Sequence, residues 1–270
     1  MAGQGRVLEG ETAIVTGAGR GIGRQIALDL AAAGARVGLV SRTASQLEDV
    51  ASEIEAADGT ALVVPTDVTD RVALESAIGQ VVDVFGPITL AVNNAAGDRP
   101  YGPVDVVDPD EWWQAQELHV RAAYVVMHAV IPAMRRSGRG RIINIASNGG
   151  MLIGTNASAY CVGKATLIRL TEHVHSEIAA DGLAAFAVHP GTIMTEMGMA
   201  ALDDPEARKW VAPLVDHLEQ FRNIDTSPEL LRVGRQVVEL AGGGFDALAG
   251  RYLDLEIPLE LQMADQKTQN

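Results

Sequence analysis

The stretch "TAIVTGAGRGIGRQIALDLAAAG", Thr12–Gly34, decides how this chain is read. Thr12–Thr16 is a short apolar run with β-branched side chains, the pattern of a strand covered on both faces. Gly17, Gly19, Gly21 and Gly23 follow, and then apolar residues at helical spacing up to Gly34. A strand, a glycine turn and a helix in that order bring the N–H groups of a helix N-terminus to the end of the strand, a natural place for a phosphate. The glycines do not fit G-x-G-x-x-G, because Ile22 or Arg24 falls on the last glycine, and no Gly-Lys-Ser/Thr follows to make a P-loop. They fit T-G-x-x-x-G-x-G on Thr16, Gly17, Gly21 and Gly23. Taken alone, the stretch has the plainer alternative of a glycine-rich turn without a ligand.

The same unit recurs along the chain. Apolar runs at Arg36–Val40, Ala61–Pro65, Ile88–Asn94, Arg141–Ser147 and Leu183–Pro190 read as strands, with a seventh inside Gly250–Leu255. Helical patterns lie between them, near 44–57, 70–85, 110–136 and 157–180. This alternation predicts an α/β fold: a doubly wound, Rossmann-like parallel sheet of about seven strands with helices on both faces. No linker, repeat or low-complexity segment divides residues 1–270, so one domain is expected, with 259–270 as a frayed tail. Ligands of such sheets bind beyond the carboxyl ends of the strands.

Composition narrows the function. The net charge of −14 and the lack of a basic run oppose nucleic acid as a partner. One cysteine excludes an internal disulfide and fits a reducing compartment. The N-terminus lacks the apolar core of a secretion signal, and the uncharged window Ile142–Gly163 is too rich in Asn, Ser, Thr and Gly to cross a membrane. A cytoplasmic protein with no membrane partner is expected. Metal is not expected either: His173 and His175 are two apart and cannot share a helix face, and no H-E-x-x-H occurs.

The end of the second strand bears on the ligand. An NAD site there ordinarily carries a carboxylate for the ribose 2′-hydroxyl, whereas this chain has Ser41 and Arg42. A 2′-phosphate suits Arg42, with Arg20 of the glycine loop as a second clamp, so NADP(H) is favoured over NAD(H). The plainer alternative is two solvated surface arginines.

After the fifth strand comes Ser147, with Tyr160 thirteen residues on and Lys164 four beyond it on the same helix face. With "TGAGRGIG", "DV" (Asp67–Val68), "NNA" (Asn93–Ala95), "YCVGK" (Tyr160–Lys164) and "HPGTIMT" (His189–Thr195), the chain resembles the short-chain dehydrogenase/reductase family in its single-domain form. The resemblance covers roughly Thr12 to Thr195. It implies a hydride transfer between a nicotinamide and a carbonyl or secondary alcohol. Tyr160 would be the general acid/base, Ser147 would hold the same oxygen, and Lys164 would bind the ribose and favour the tyrosinate. Asp67 and Val68 would meet the adenine, Asn93 and Ala95 would line the cofactor, and Pro190, Gly191, Ile193 and Thr195 would seat the nicotinamide. Gly17, Gly19, Gly21, Ile22 and Gly23 would surround the pyrophosphate. A free tyrosine is about 0.1% ionised at pH 7, and a nearby cation ordinarily lowers an acid's pKa by about 1–3 units.

Three features depart from the family pattern. Where members often have an asparagine that holds a relay water, this chain has His119. One reading makes His119 a relay that titrates near neutral pH, and the other makes it a space-filling side chain. Ala96 replaces a usual glycine, and the glycine pair that often follows the last strand is absent. The resemblance also implies a homo-oligomer, a dimer or tetramer, packed through the broad apolar faces near Tyr124–Ile131 and Ala159–Leu170. Gly97–Pro109, Asn148–Asn156 and an insert at about 194–222, a lid by its placement, would frame a small ketone or alcohol. No arginine or lysine cluster in these segments announces an anion, which points to an uncharged substrate. An NAD-dependent alcohol dehydrogenase is the nearer alternative, and a nucleotide-sensing relative without turnover the more distant one. Cys161 sits one residue off the Tyr160–Lys164 face and reads as packing.

Overall fold

The computed structural model describes residues 6–269, so residues 1–5 and 270 of the expected single domain lie outside the described residues. Seven parallel strands form one sheet in the order β3-β2-β1-β4-β5-β6-β7. They are β1 (Thr12–Thr16), β2 (Arg36–Ser41), β3 (Thr60–Pro65), β4 (Leu90–Asn93), β5 (Arg141–Ile145), β6 (Ala184–His189) and β7 (Tyr252–Asp254). Every residue of β1, β4 and β6 is buried, as apolar strands covered by helices on both faces require. The order reverses between β1 and β4, which pair in parallel at Ala13–Leu90, Ile14–Ala91 and Val15–Val92. At that switch the connections leave to opposite sides and open a cleft at the carboxyl ends.

One sheet face carries α1 (Gly21–Ala32), α2 (Ala44–Ala56) and α10 (Ser227–Ala241), packed in a core with Val15, Leu39, Ile143 and Phe186. The other carries α3 (Arg71–Phe85), α5 (Ala122–Ser137) and α6 (Ser158–Ile178), around Ile14, Val40, Ala91 and Ile142. Alternate residues of one strand thus feed two cores, the period-2 rule of a pleated strand. Asp70 caps α3 by accepting from the Val72 and Ala73 N–H groups at 2.9 and 3.1 Å. Asp108 caps α4 (Pro109–Gln116) in the same way.

Two local expectations are corrected. The long helix predicted over 110–136 is broken into α4 and α5 by a π-helical turn, Glu117–Arg121, whose wider turn sets His119 inward. The tail predicted to fray is instead helical, α11 (Leu259–Gln269). Leu259 is fully buried in the core of the first sheet face, and Gln262 Nε2 donates to the Asp254 carbonyl at 2.8 Å, which ties α11 to β7. One apolar anchor and one side-chain cap offset the fraying of a polar terminal segment. The insert is three short helices, α7 (Glu196–Leu202), α8 (Pro205–Trp210) and α9 (Ala212–Glu219). Among the described residues no helix is long and apolar enough to cross a membrane.

Candidate active site

A cleft of about 1400 Å³ runs along the carboxyl ends of the strands. Its floor is the β1–α1 turn. Gly17 holds φ +67°, and a Cβ there would lie 2.7 Å from Asn94 Nδ2. At Gly23 a Cβ would lie 2.2 Å from the Gly17 carbonyl oxygen, so α1 starts hard against the turn only because both residues are glycine. Asn94 keeps the turn in place: its Nδ2 donates to the Thr16 and Gly17 carbonyls at 3.0 and 3.2 Å. Thr16 Oγ1 accepts from the Asn94 and Ala95 N–H groups, which locks β4 to β1 at the switch point.

Fifteen of the residues singled out by sequence line this cleft: Gly17, Gly19, Arg20, Gly21, Ile22, Gly23, Ser41, Arg42, Asp67, Val68, Ala95, Tyr160, Lys164, Pro190 and Thr195. Arg20 and Arg42 are exposed and form no salt bridge among the described residues. Ser41 Oγ is buried without a hydrogen-bond partner, 3.0 Å from where a Cβ on Gly19 would sit. A missing side chain, an orphaned hydroxyl and two unpaired guanidinium groups make a cradle that fits the phosphate-bearing end of a dinucleotide. Asp67 closes the neighbouring edge. Its Oδ1 accepts from Thr69 N and Oγ1 at 3.0 and 2.7 Å, and the Thr69 N–H foremost holds its carboxyl below the usual range. Across the cleft, Thr195 Cγ2 lies 3.1 Å from a Cβ built on Gly21, so the segment after β6 reaches over the turn.

Not every expected residue reaches the wall. Asn93 is buried in the sheet and donates to Asn144 Oδ1 at 2.7 Å, and its neighbour Asn94 lines the cleft instead. Gly191 faces Glu256 and Arg232, and Ile193 packs into the core of the first sheet face. The second asparagine of "NNA" was the missed signal. Asp98, Thr66 and Thr69 also line the cleft from loops that show no periodicity, and Gln46 and Met197 from the first turns of α2 and α7.

Tyr160 and Lys164 project from one face of α6, and Ser147 comes from the end of β5 beside them. A Cβ on Gly149 would lie 3.0 Å from Tyr160 Cε1 and 3.4 Å from Ser147 Oγ, so that glycine leaves the serine and tyrosine facing each other. The Lys164 ammonium is buried, donates to the Ile145 carbonyl at 2.7 Å, and lies 5.8 Å from the centre of the Tyr160 ring. Burial pushes its pKa down to about 8. Burial of the phenol raises the Tyr160 pKa, more than its hydrogen bond with Ser147 lowers it. Lys164 is turned to the β5 carbonyl, so desolvation of the phenol dominates.

His119 stands behind the tyrosine. Its Nε2 lies 2.8 Å from the Gly97 carbonyl oxygen and 3.2 Å from the Gly97 nitrogen, so Gly97 meets one ring nitrogen with both backbone groups. The ring meets Tyr160 edge-on with centroids 5.6 Å apart. Burial first, and the Lys164 charge second, push its pKa down to about 4. The lowered pKa favours the neutral ring near pH 7 and runs against a group that titrates there. Nδ1 is buried without a partner and packs on Gly163, where a Cβ would lie 2.6 Å away. The imidazole joins the Gly97 loop, the π turn and α6 behind the tyrosine. At the far end, His189 Nδ1 accepts from the Asn148 N–H at 3.3 Å, which leaves Nε2–H facing Glu256 at 3.9 Å.

The insert answers which of its apolar residues face the cleft. Met194 and Trp210 pack with Tyr101, Leu202, Val211 and Val215 in the insert's own core, and Cys161 joins them as packing. Met197 alone of the insert's methionines lines the cleft.

Known proteins show the same architecture. The chain is 34% identical over 251 residues to the short chain dehydrogenase mpl6 of Monascus purpureus, covering 90% of this chain and 80% of that one. It is 30% identical over 271 residues to the short chain dehydrogenase pigC of Monascus ruber, covering 97% and 84%. A crystal structure of a short-chain type dehydrogenase/reductase from Mycobacterium marinum superposes with a TM-score of 0.77 at 28% identity, covering 92% of this chain and 94% of that one. The pattern of the short chain dehydrogenases matches residues 11–206, from the first strand through the turn, the Ser147–Tyr160–Lys164 group and into the insert. The chain belongs to the short-chain dehydrogenase/reductase family and is an oxidoreductase of the kind that uses NAD(P)(H) on small molecules.

Proposed function

We propose that the protein is an NADP(H)-dependent carbonyl reductase, or alcohol dehydrogenase in the reverse sense, with Tyr160 as its general acid/base. The convergence of Tyr160 and Lys164 with the glycine turn and the Ser41–Arg42 edge in one cleft carries this reading. A nicotinamide bound there would supply or accept the hydride. The chain's own residues do the rest. Gly17, Gly19, Gly21, Ile22 and Gly23 take the pyrophosphate, Arg42 and Arg20 with Ser41 Oγ take the 2′-phosphate, and Asp67 with Val68 borders the adenine. Ala95, Pro190 and Thr195 enclose the nicotinamide end, and Lys164 Nζ, directed by the Ile145 carbonyl, holds its ribose.

Tyr160 holds its phenolic proton at neutral pH because burial raises its pKa. That is the form that protonates a carbonyl oxygen during reduction, while the Ser147 hydroxyl donates to the same oxygen. The insert α7–α9 serves as the lid, moving as a unit because its apolar residues pack on one another. Tyr124 on α5 and Val162 on α6 are 53% and 43% exposed, which supports a dimer or tetramer packed through those helices. The −14 charge and lone cysteine support a cytoplasmic setting.

The test is a turnover screen of ketones and alcohols with NADPH and NADH in parallel, on wild type and Tyr160→Phe. The expected result is a higher kcat/KM with NADPH and a fall of about 10²–10⁴-fold in Tyr160→Phe with NADPH binding retained. Better turnover with NADH refutes the cofactor assignment, and wild-type turnover in Tyr160→Phe refutes the acid/base.

A further inference from the structure

The substrate end of the cleft holds a carboxylate whose nearby cations are engaged elsewhere. Asp98 follows Gly97 and lines the same cleft wall as Tyr160, and the His119 bond to the Gly97 carbonyl holds that loop against the tyrosine. One carboxylate oxygen, Oδ2, accepts from the Tyr101 hydroxyl. Tyr101 is buried in the insert's core, so this bond anchors the carboxylate and does not neutralise it. Oδ1 takes no hydrogen bond among the described residues. Arg99 is the adjacent cation; its guanidinium is paired with Asp204 at the start of α8 and feels the Asp98 charge only as a lesser influence, after that of Asp204. Arg121 is paired with Glu117, and Lys164 is directed to the Ile145 carbonyl.

A carboxylate oxygen held in the wall that carries Tyr160 and open to the cleft can accept from a substrate donor in place of water, and its charge repels an anion. We propose that Asp98 is a specificity residue that accepts from a hydroxyl or ammonium group carried close to the reacting carbonyl, so that hydroxy- or amino-ketones are preferred and keto acids rejected. This rests on the oxidoreductase reading of the same cleft and deepens it by naming the substrate class. It sharpens the expectation of an uncharged ketone: the site reads a donor next to the carbonyl, and an apolar surface alone does not satisfy it. The charge of Asp98 also reaches Tyr160, where it adds to the upward push on the phenol.

The experiment uses four phenyl ketones that differ in one substituent: acetophenone, its α-hydroxy and α-ammonium derivatives, and phenylglyoxylate. Their kcat/KM values are measured with NADPH and NADH for wild type, Asp98→Ala and Tyr101→Phe. Each substrate is compared with itself across variants, so intrinsic reactivity cancels. Relative to acetophenone, Asp98→Ala is expected to lose about 10- to 100-fold on whichever donor-bearing ketone the site takes and to gain on phenylglyoxylate. A loss on the α-hydroxy ketone identifies a neutral donor, and one confined to the α-ammonium ketone a cationic one. Tyr101→Phe removes the anchoring bond but keeps the charge, and is expected to keep the order of the four. Equal losses on all four in Asp98→Ala, or phenylglyoxylate as the best wild-type substrate, overturn the proposal and leave the oxidoreductase reading standing. No turnover of any of the four by wild type with either nicotinamide overturns the proposal, whereas the oxidoreductase reading fails only if the wider screen of ketones and alcohols is also negative.

Discussion

Replacing His119 by asparagine should remove most of the acid sensitivity that this buried imidazole builds into the fold. The side chain is 2% exposed, and its pKa is pushed from 6.5 down to about 4 by burial and the Lys164 charge. In the unfolded chain it returns to about 6.5. Between these values the unfolded state binds more protons than the folded one, so stability falls as pH drops through that window and is unaffected above it. The linkage amounts to about 2 kcal/mol lost by pH 5 and approaches about 3 kcal/mol below pH 4. The assay is urea unfolding followed by fluorescence of the 3 tryptophans, at steps from pH 7.5 to pH 5, on wild type and His119→Asn. The wild type should lose about 2 kcal/mol more than the variant over that range. His175 and His189, whose pKa values are also lowered mainly by burial, are common to both proteins and cancel. Parallel curves would show that His119 titrates freely or is already protonated, and the placement against Gly97 and Lys164 would be wrong.

Lys164 makes the same case at higher pH. Its pKa falls from 10.5 to about 8, so wild-type stability should rise with pH between those values, because only the unfolded state holds the proton there. Lys164→Met should abolish turnover, flatten that slope and stabilise the protein at pH 7 by about 2 kcal/mol, the relief of about 3 kcal/mol less about 1 for the orphaned Ile145 carbonyl. A less stable Lys164→Met would refute it. Gly163→Ala places a Cβ 2.6 Å from His119 Nδ1 and should cost about 1–3 kcal/mol, read as a lower Tm. Gly79→Ala in α3 meets nothing within 4 Å and should gain about 1 kcal/mol. Equal shifts in the two variants would show that His119 does not pack on α6 as described.

The strands and the glycine turn were legible because their signals are local. Five residues of Thr12–Thr16 show a covered strand, and four glycines within seven positions show the turn. The four-residue spacing of Tyr160 and Lys164 is likewise a property of one helix. The π turn, the helix α11 and the choice of Asn94 over Asn93 were not legible. Each depends on one contact with a distant element: Gly97 for His119, Asp254 for Gln262, Asn144 for Asn93.

By itself, the sequence determined the strands and helices of the sheet and the residue types at the strand ends, since alternation of buried and turn residues is a short-range code. The strand order and its reversal between β1 and β4 came from the tertiary structure. Only the tertiary structure decided the electrical state of the residues at the strand ends. It turned Lys164 to a backbone carbonyl, raised the Tyr160 pKa, silenced His119 and left one oxygen of Asp98 without a partner. Desolvation and pairing depend on what surrounds a group in space, and those neighbours come from parts of the chain that no local pattern links.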